Sequence, residues 1–228
     1  MISRRAGTRV AVIEDHSLFA ESLEIALEME GHDVRRILLP EGGRSVNTLL
    51  PIILRSHPQV ALLDLDLGTY GNGVRLVEPL TRAGVQVVIV TASIDRARWG
   101  ECLRHGARKV LPKSSPLNDI LATIRRITEG LPVISREERE ELLKHWHQQL
   151  HETQVMRNRL EHLTHRESEV LAHLMDGRAV REIARMGVVS EATVRTQVKS
   201  ILSKLEVSSQ LAAVGVAHHV GWAPPTPA

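Results

Sequence analysis

Residues 60–66 read Val60-Ala61-Leu62-Leu63-Asp64-Leu65-Asp66, four apolar residues in succession running into a carboxylate. An unbroken apolar run of this length suits a strand of a parallel sheet, buried on both faces. Outward from it the same pattern recurs. Val10–Ile13 runs into Glu14 and Asp15, Val85–Val90 into Thr91, and Val110-Leu111 towards Lys113. Val34–Leu39, with two arginines inside, supplies a fifth strand. Between the runs lie helical spacings. Leu18, Leu23, Ala26 and Leu27 share a face of a helix near 17–29 that Gly31 stops, and Leu76, Val77 and Leu80 mark a second around Pro79. Further helices are expected near 95–105 and 117–129. Strand–helix alternation predicts an α/β doubly wound parallel five-stranded sheet, with its chemistry just past the carboxyl ends of the strands.

Those ends carry Glu14, Asp15, Asp64, Thr91 and Lys113. Clustered carboxylates suit a hard divalent ion, and magnesium needs only one or two of them plus waters. A carboxylate beside such an ion can act as a nucleophile towards phosphorus, while a lysine and a hydroxyl bind the transferred oxygens. A single acidic residue at a strand end often only caps the next helix; five compatible residues on four strand ends point to a site.

Segment 9–130 resembles the receiver domain of bacterial two-component response regulators. Val12-Ile13-Glu14-Asp15-His16 is similar to the family's acidic pair, and 60–66 to the strand ending in its phospho-acceptor. Val88-Ile89-Val90-Thr91-Ala92 matches the switch hydroxyl followed by a small residue. Gly106-Ala107-Arg108-Lys109-Val110-Leu111-Pro112-Lys113 matches the strand leading to the family's lysine. The resemblance implies Asp64 as phospho-acceptor, with Thr91 and Lys113 on the phosphoryl oxygens. It implies Mg2+ held by Asp15, Asp64 and the backbone carbonyl of Asp66, with Glu14 acting through water. Two features depart from the pattern. The loop Leu67-Gly68-Thr69-Tyr70-Gly71-Asn72-Gly73 is one residue longer than usual, and Val110 stands where the family often has a Tyr or Phe. No aromatic rotamer switch is available there, so coupling must travel through backbone or loop shifts. Asp64-Leu65-Asp66-Leu67-Gly68-Thr69 also resembles the Asp-x-Asp motif of haloacid-dehalogenase-type phosphatases, but the further acidic pair those enzymes need after the lysine is absent before the linker. The chain is therefore not expected to be an enzyme.

Residues 131–162 form an expected linker helix. Ser135-Arg136-Glu137-Glu138 starts it like a capping box, and no Gly or Pro follows until Gly177. Leu142, Trp146, Leu150, Met156 and Leu160 fall on one stripe, the expectation for a dimerising helix or coiled coil, with Gln149, Thr153 and Arg157 weakening the seam. The alternative is a helix packed on its own domains. His145, His147 and His151 are read as solvated rather than as a zinc site, since only His147 and His151 share a helix face.

From 163 to 222 the chain reads all-helical. Thr164-His165-Arg166-Glu167 is a capping box, a short helix near 179–186 meets a turn at Gly187, and Ser190 caps a helix to about Leu205. On that helix Val194, Val198, Ile201, Leu202 and Leu205 form an apolar stripe, while Ala192, Arg195, Thr196, Lys199 and Ser203 lie opposite, small, polar and cationic enough for a major groove. A helix with this pattern could also be merely amphipathic. The wider run, from Leu163-Thr164-His165-Arg166-Glu167 through Val189-Ser190-Glu191-Ala192-Thr193-Val194-Arg195 to Lys204-Leu205-Glu206-Val207-Ser208-Ser209, resembles the LuxR-type helix-turn-helix domain. The resemblance implies Arg195, Thr196 and Lys199 on bases and phosphates, Thr193 on backbone, and Lys204 near a phosphate. The family usually has a large apolar residue at 187 and Gly at 206; here they are Gly187 and Glu206. The first substitution is expected to loosen the turn, the second to remove a residue suited to a left-handed helix end. Residues 223–228 are expected to be a disordered tail.

Composition sets the limits. With 228 residues, 43% hydrophobic and 25% charged, the chain can bury a core in each of two domains, a receiver at 1–130 and a reader at 163–222. Its net charge of +2 excludes sequence-blind coating of nucleic acid, and aromatics at 2% exclude a base-stacking platform. The single Cys102 excludes an internal disulfide framework. The N-terminus lacks the apolar core of a secretion signal and no stretch could span a bilayer, so a cytoplasmic location without membrane contact is expected. The whole reads as a transcription factor that accepts phosphate from a sensor histidine kinase and binds double-stranded DNA as a homodimer. The alternative is an orphan receiver that binds DNA without phosphorylation.

Overall fold

The computed structural model describes residues 7–39 and 45–224, so of the tail expected at 223–228 the last four residues, 225–228, lie outside the described residues. Five strands, β1 (Arg9–Ile13), β2 (Asp33–Arg36), β3 (Val60–Leu63), β4 (Gln86–Thr91) and β5 (Lys109–Pro112), form one parallel sheet in the order β2-β1-β3-β4-β5. Alternation along each strand sends side chains to two separate cores. Ala11, Ile13, Leu63 and Ile89 point to a layer formed by helices α2 (Leu50–Arg55), α3 (Val74–Arg82) and α4 (Arg96–Arg104). Val10, Val12, Leu62 and Val90 point to the opposite layer, formed by α1 (Ser17–Met29) and α5 (Leu117–Thr128). The sheet is thus covered on both faces, which is why its strands read as apolar runs.

Two elements differ from expectation. The second strand stops at Arg36 rather than continuing to Leu39, because its register with β1 ends at Val12 and Arg36, the Ile37 N–H making the last hydrogen bond, to the Val12 carbonyl. Helix α2 was not legible. Leu49-Leu50-Pro51-Ile52-Ile53-Leu54 has no clear period, and its proline suggests a break; in fact Pro51 sits in the first turn, where its missing N–H costs nothing.

The second unit holds α7 (His165–Met175), α8 (Val180–Met186), α9 (Glu191–Leu205) and α10 (Gln210–His219) around one core that includes Val170, Leu171, Ile183, Val194, Val198 and Ile201. The predicted capping box is present in full. Thr164 Oγ1 accepts from the Glu167 N–H at 3.3 Å, and the Thr164 N–H donates to Glu167 Oε2 at 2.7 Å.

The chain divides into compact units of residues 1–147 and 148–228, parting within helix α6 (Arg136–Glu161). The segment 131–162 is therefore shared between units. Leu142 is buried in the core of the first. Leu160 is buried in the core of the second, where Met156 packs against it. Of the five stripe residues only Leu150, 52% exposed, counts among the exposed large hydrophobics. The stripe is not one continuous free seam, because its two ends are consumed by the cores of their own units.

Candidate phosphoryl site and nucleic-acid interface

At the carboxyl ends of β1, β3 and β4 the structure gathers Glu14, Asp64 and Thr91, all buried, with Asp15 and Asp66 exposed beside them. Lys113, just past β5, closes the group. Its Nζ lies 2.7 Å from Asp64 Oδ2 and 2.8 Å from Glu14 Oε1, and its backbone N–H donates to the Thr91 carbonyl at 2.8 Å. Burial disfavours a charged lysine, but the hydrogen bonds to Asp64 and Glu14 outweigh it and push the Lys113 pKa up. Burial raises the Glu14 carboxyl, against the hydrogen bonds from Lys113 and the His16 backbone. Gly73 makes the close turn possible, because a Cβ there would overlap the Asp64 carbonyl.

The donor set tests whether a metal fits. Glu14, Asp15, His16 and Asp64 bring ligand atoms within 4.8 Å of one another. Three hard carboxylates at that spacing suit a small divalent cation. His16 was not singled out from sequence. Its Nδ1 lies 2.8 Å from Asp15 Oδ1 and 3.1 Å from Glu14 Oε1, and the Glu14 contact raises its pKa. Adjacency to the acidic pair was the available signal. Asp66 was expected to contribute through its carbonyl; its carboxylate is engaged by Arg98 of α4 at 2.9 Å, a partner 32 positions away that no periodicity marks.

In the second unit, α8, the turn at 187–190 and α9 form a helix-turn-helix. Arg195, Thr196 and Lys199 lie exposed on the face of α9 opposite Val194, Val198 and Ile201. Thr193, also exposed, meets the Ser190 cap, with its N–H 3.0 Å and its Oγ1 2.8 Å from Ser190 Oγ. The Lys204 Nζ lies 2.6 Å from Glu167 Oε2 and 3.2 Å from the His162 carbonyl, so its ammonium is already paired within the unit. Burial opposes ionisation of Glu167, yet hydrogen bonds from Lys204, Ser200 and Thr164 hold its pKa down to about 2. Gly187 has an ordinary backbone, and a Cβ there would meet the Arg166 guanidinium, which lies against this turn. The left-handed residue is Val188, at φ 51°. At the end of α9, Glu206 adopts the left-handed cap conformation without being glycine, and its carboxylate pairs with Arg159.

Cys102 is buried, and burial pushes its thiol up to about 12, as expected of a structural rather than a reactive cysteine. Among the described residues no helix is long and apolar enough to cross a membrane.

Comparison with known proteins agrees with this geometry. Residues 10–125 match the response regulator receiver domain, and residues 161–217 match the bacterial regulatory proteins of the luxR family. The chain is 25% identical over 227 residues to the transcriptional regulatory protein DegU of Brevibacillus brevis, covering 94% of each. It is 31% identical over 158 residues to the transcriptional regulatory protein LnrK of Bacillus subtilis, covering 66% of this chain and 71% of that one. Among solved structures, RcsB from Salmonella enterica serovar Typhimurium bound to a promoter shares the fold, with TM-score 0.50, 21% identity and coverage of 92% and 97%. The receiver match takes in residues 64–69 and displaces their dehalogenase-type resemblance. The chain therefore belongs to the response regulators, transcriptional regulators that join a receiver domain to a LuxR-type DNA-binding domain.

Proposed function

We propose that the protein is switched by phosphorylation of Asp64, by a histidine kinase, and that the phosphorylated form binds double-stranded DNA as a dimer. The observation that carries this reading is the buried Asp64 carboxylate, with Lys113 at 2.7 Å and three further ligand-bearing side chains in one cluster. Asp15, Asp64 and the Asp66 carbonyl would hold Mg2+, with Glu14 reaching it through water. Bound magnesium supplies neutralisation of charge on the transferring oxygens. Asp64 presents a carboxylate oxygen to phosphorus; as that bond forms, the bond from phosphorus to the donor nitrogen breaks. Lys113, held charged by its two carboxylates, then exchanges its Asp64 contact for a phosphoryl oxygen, and the Thr91 hydroxyl turns to another. The domains are taken as a receiver at 1–130 and a reader at 163–222, joined by the 131–162 helix, and the location as cytoplasmic.

In the reader, Arg195, Thr196 and Lys199 contact bases and phosphates from the open face of α9, and Thr193 contacts backbone beside its cap. Support comes from their exposure on that face and from relatives named as transcriptional regulators. Three basic residues and one acidic residue within 191–204 provide few phosphate contacts per subunit, so two half-sites supply the affinity. A second reading, DNA binding independent of phosphorylation, is favoured by Val110, which cannot act as a rotating ring. One experiment separates the two. The protein is incubated with acetyl phosphate and Mg2+ and read by intact mass, then assayed on selected genomic DNA. A phosphoryl adduct absent from Asp64→Asn, with tighter binding by the adduct, is expected. No adduct, with DNA binding unchanged in Asp64→Ala, overturns the switch.

A further inference from the structure

Arg98 is the residue the phosphoryl chemistry leaves unexplained. One guanidinium collects four acceptors from the β3–α3 loop. Nη2 lies 2.9 Å from Asp66 Oδ1, 3.0 Å from the Leu65 carbonyl and 3.0 Å from Asn72 Oδ1, and Nη1 lies 3.3 Å from Asp66 Oδ2. The loop is itself closed on these groups, since the Leu65 carbonyl also accepts from the Gly73 N–H at 2.8 Å. Asn72 Oδ1 accepts in turn from the Val74 N–H at 3.0 Å. Arg98 therefore grips both arms of the loop from outside. A planar guanidinium with fixed donor directions transmits displacement of such a set better than a single ammonium.

The other side of α4 is equally committed. Gly100 lets the backbone of α6 approach so closely that a Cβ would overlap the Leu142 carbonyl. Arg139 of α6 donates to the Leu103 carbonyl at 3.2 Å, and Arg96 pairs with Glu141 at 3.0 Å. Helix α4 is thus pinned to the acidic loop at one face and to the first half of α6 at the other. Val110 removes the ring that could otherwise link the Thr91 region to this layer.

We propose that Arg98 is a positioning residue that sets the Asp66 peptide for the cation and passes occupancy of the Asp64 site to α4, in place of an aromatic switch. This role rests on the metal and phosphoryl reading of Asp64. A cation drawing on the Asp66 carbonyl moves a peptide whose neighbouring carbonyl and own carboxylate are both held by Arg98, so the guanidinium and its helix must follow. Packed elements of this kind respond by discrete shifts rather than by continuous deformation.

Trp99, the next residue on α4, provides the readout, because its indole Nε1 donates to the Ser93 carbonyl at 3.0 Å. Full-length protein labelled with fluorotryptophan is titrated with MgCl2 and then with beryllium fluoride, and followed by fluorine resonances assigned through Trp→Phe variants. In the wild type the Trp99 resonance shifts with both additions. In Arg98→Ala and Arg98→Lys the Mg2+ affinity falls about tenfold, the scale expected for loss of a residue orienting a ligand. The Trp99 shift at saturating Mg2+ and fluoride disappears, while acetyl phosphate still labels Asp64. Arg98→Lys keeps the charge and stem and carries the test if Arg98→Ala does not fold. Wild-type Mg2+ affinity and a full Trp99 shift in Arg98→Lys overturn the proposal, as does a lowered melting temperature with both readouts intact, which marks a structural role only. A wild type that neither responds to Mg2+ nor takes phosphate on Asp64 removes the metal-site reading itself.

Discussion

The Lys204 ammonium lies 2.6 Å from the Glu167 carboxylate, drawing the last cation of α9 into the packing of α7 against α9. Removing it leaves a buried carboxylate without its counter-charge. Lys204→Ala is expected to cost about 1.5–3 kcal/mol in urea unfolding, the range for a hydrogen bond to a charged group. Its effect on the salt dependence of DNA binding is expected to be nil. Lys199→Ala, by contrast, lowers the slope of log K against log salt by about 1 while leaving stability unchanged. A Lys204→Ala slope lowered as much as that of Lys199→Ala overturns this assignment.

Glu167 also makes the stability of this unit depend on acid. Its pKa in the folded protein is about 2 against an ordinary 4.5. A depressed carboxylate stabilises fully above its unfolded value, and the contribution is lost as pH falls through 4.5 towards 2. The melting temperature of the second unit should therefore decline across that window. Glu167→Gln should be less stable at neutral pH and show a flatter decline. Parallel acid profiles for the two proteins count against it.

Val188 is 92% exposed and sits at φ 51°, where a branched side chain crowds its own backbone. The left-handed conformation costs about 1–2 kcal/mol for an L-residue, and glycine returns part of that as unfolded-state entropy. Val188→Gly is expected to gain roughly 1 kcal/mol in urea unfolding. Glu206→Gly, relieved of the same strain, loses its pairing with Arg159 and should come out near neutral.

Arg195 stands exposed on the α9 face, with an ion pair to Glu191 at 3.6 Å. If it reads a base edge, Arg195→Ala costs roughly 1–3 kcal/mol on a selected site and much less on random DNA. Equal losses on both make it a phosphate contact.

Gly100→Ala should push α6 away from α4, since the added Cβ meets the Leu142 carbonyl and the Trp146 Cβ. Overpacking of this kind costs about 1–3 kcal/mol. Hydrogen exchange at amides 139–147 should accelerate while α5 keeps its protection. Unchanged exchange there removes the claimed dependence of this docking on a missing side chain.

Much of this was legible in the chain itself. The strand ends were placed by apolar runs, because burial on both faces leaves no other pattern for a parallel strand. Asp64, Thr91 and Lys113 could be singled out because a polar residue ending such a run must lie at the carboxyl end of its strand, where the sheet opens. The capping box at Thr164–Glu167 followed from a local rule whose two partners are three residues apart. Helix α2 was hidden because a proline in a first turn and one in a helix interior look alike in sequence.

By itself the sequence determined which side chains must leave water, and at which strand ends the carboxylates would gather. Both are consequences of period and of short-range chemistry. Only the tertiary structure decided what each group meets. Leu142 and Leu160 share a stripe on α6 yet are buried in different cores, because spacing tells that a residue is buried, never against what. Lys204 sits among cations of α9 yet pairs with Glu167, and Arg98 grips Asp66 across 32 positions. Charges are promiscuous at long sequence separation, and their partners are settled by packing alone.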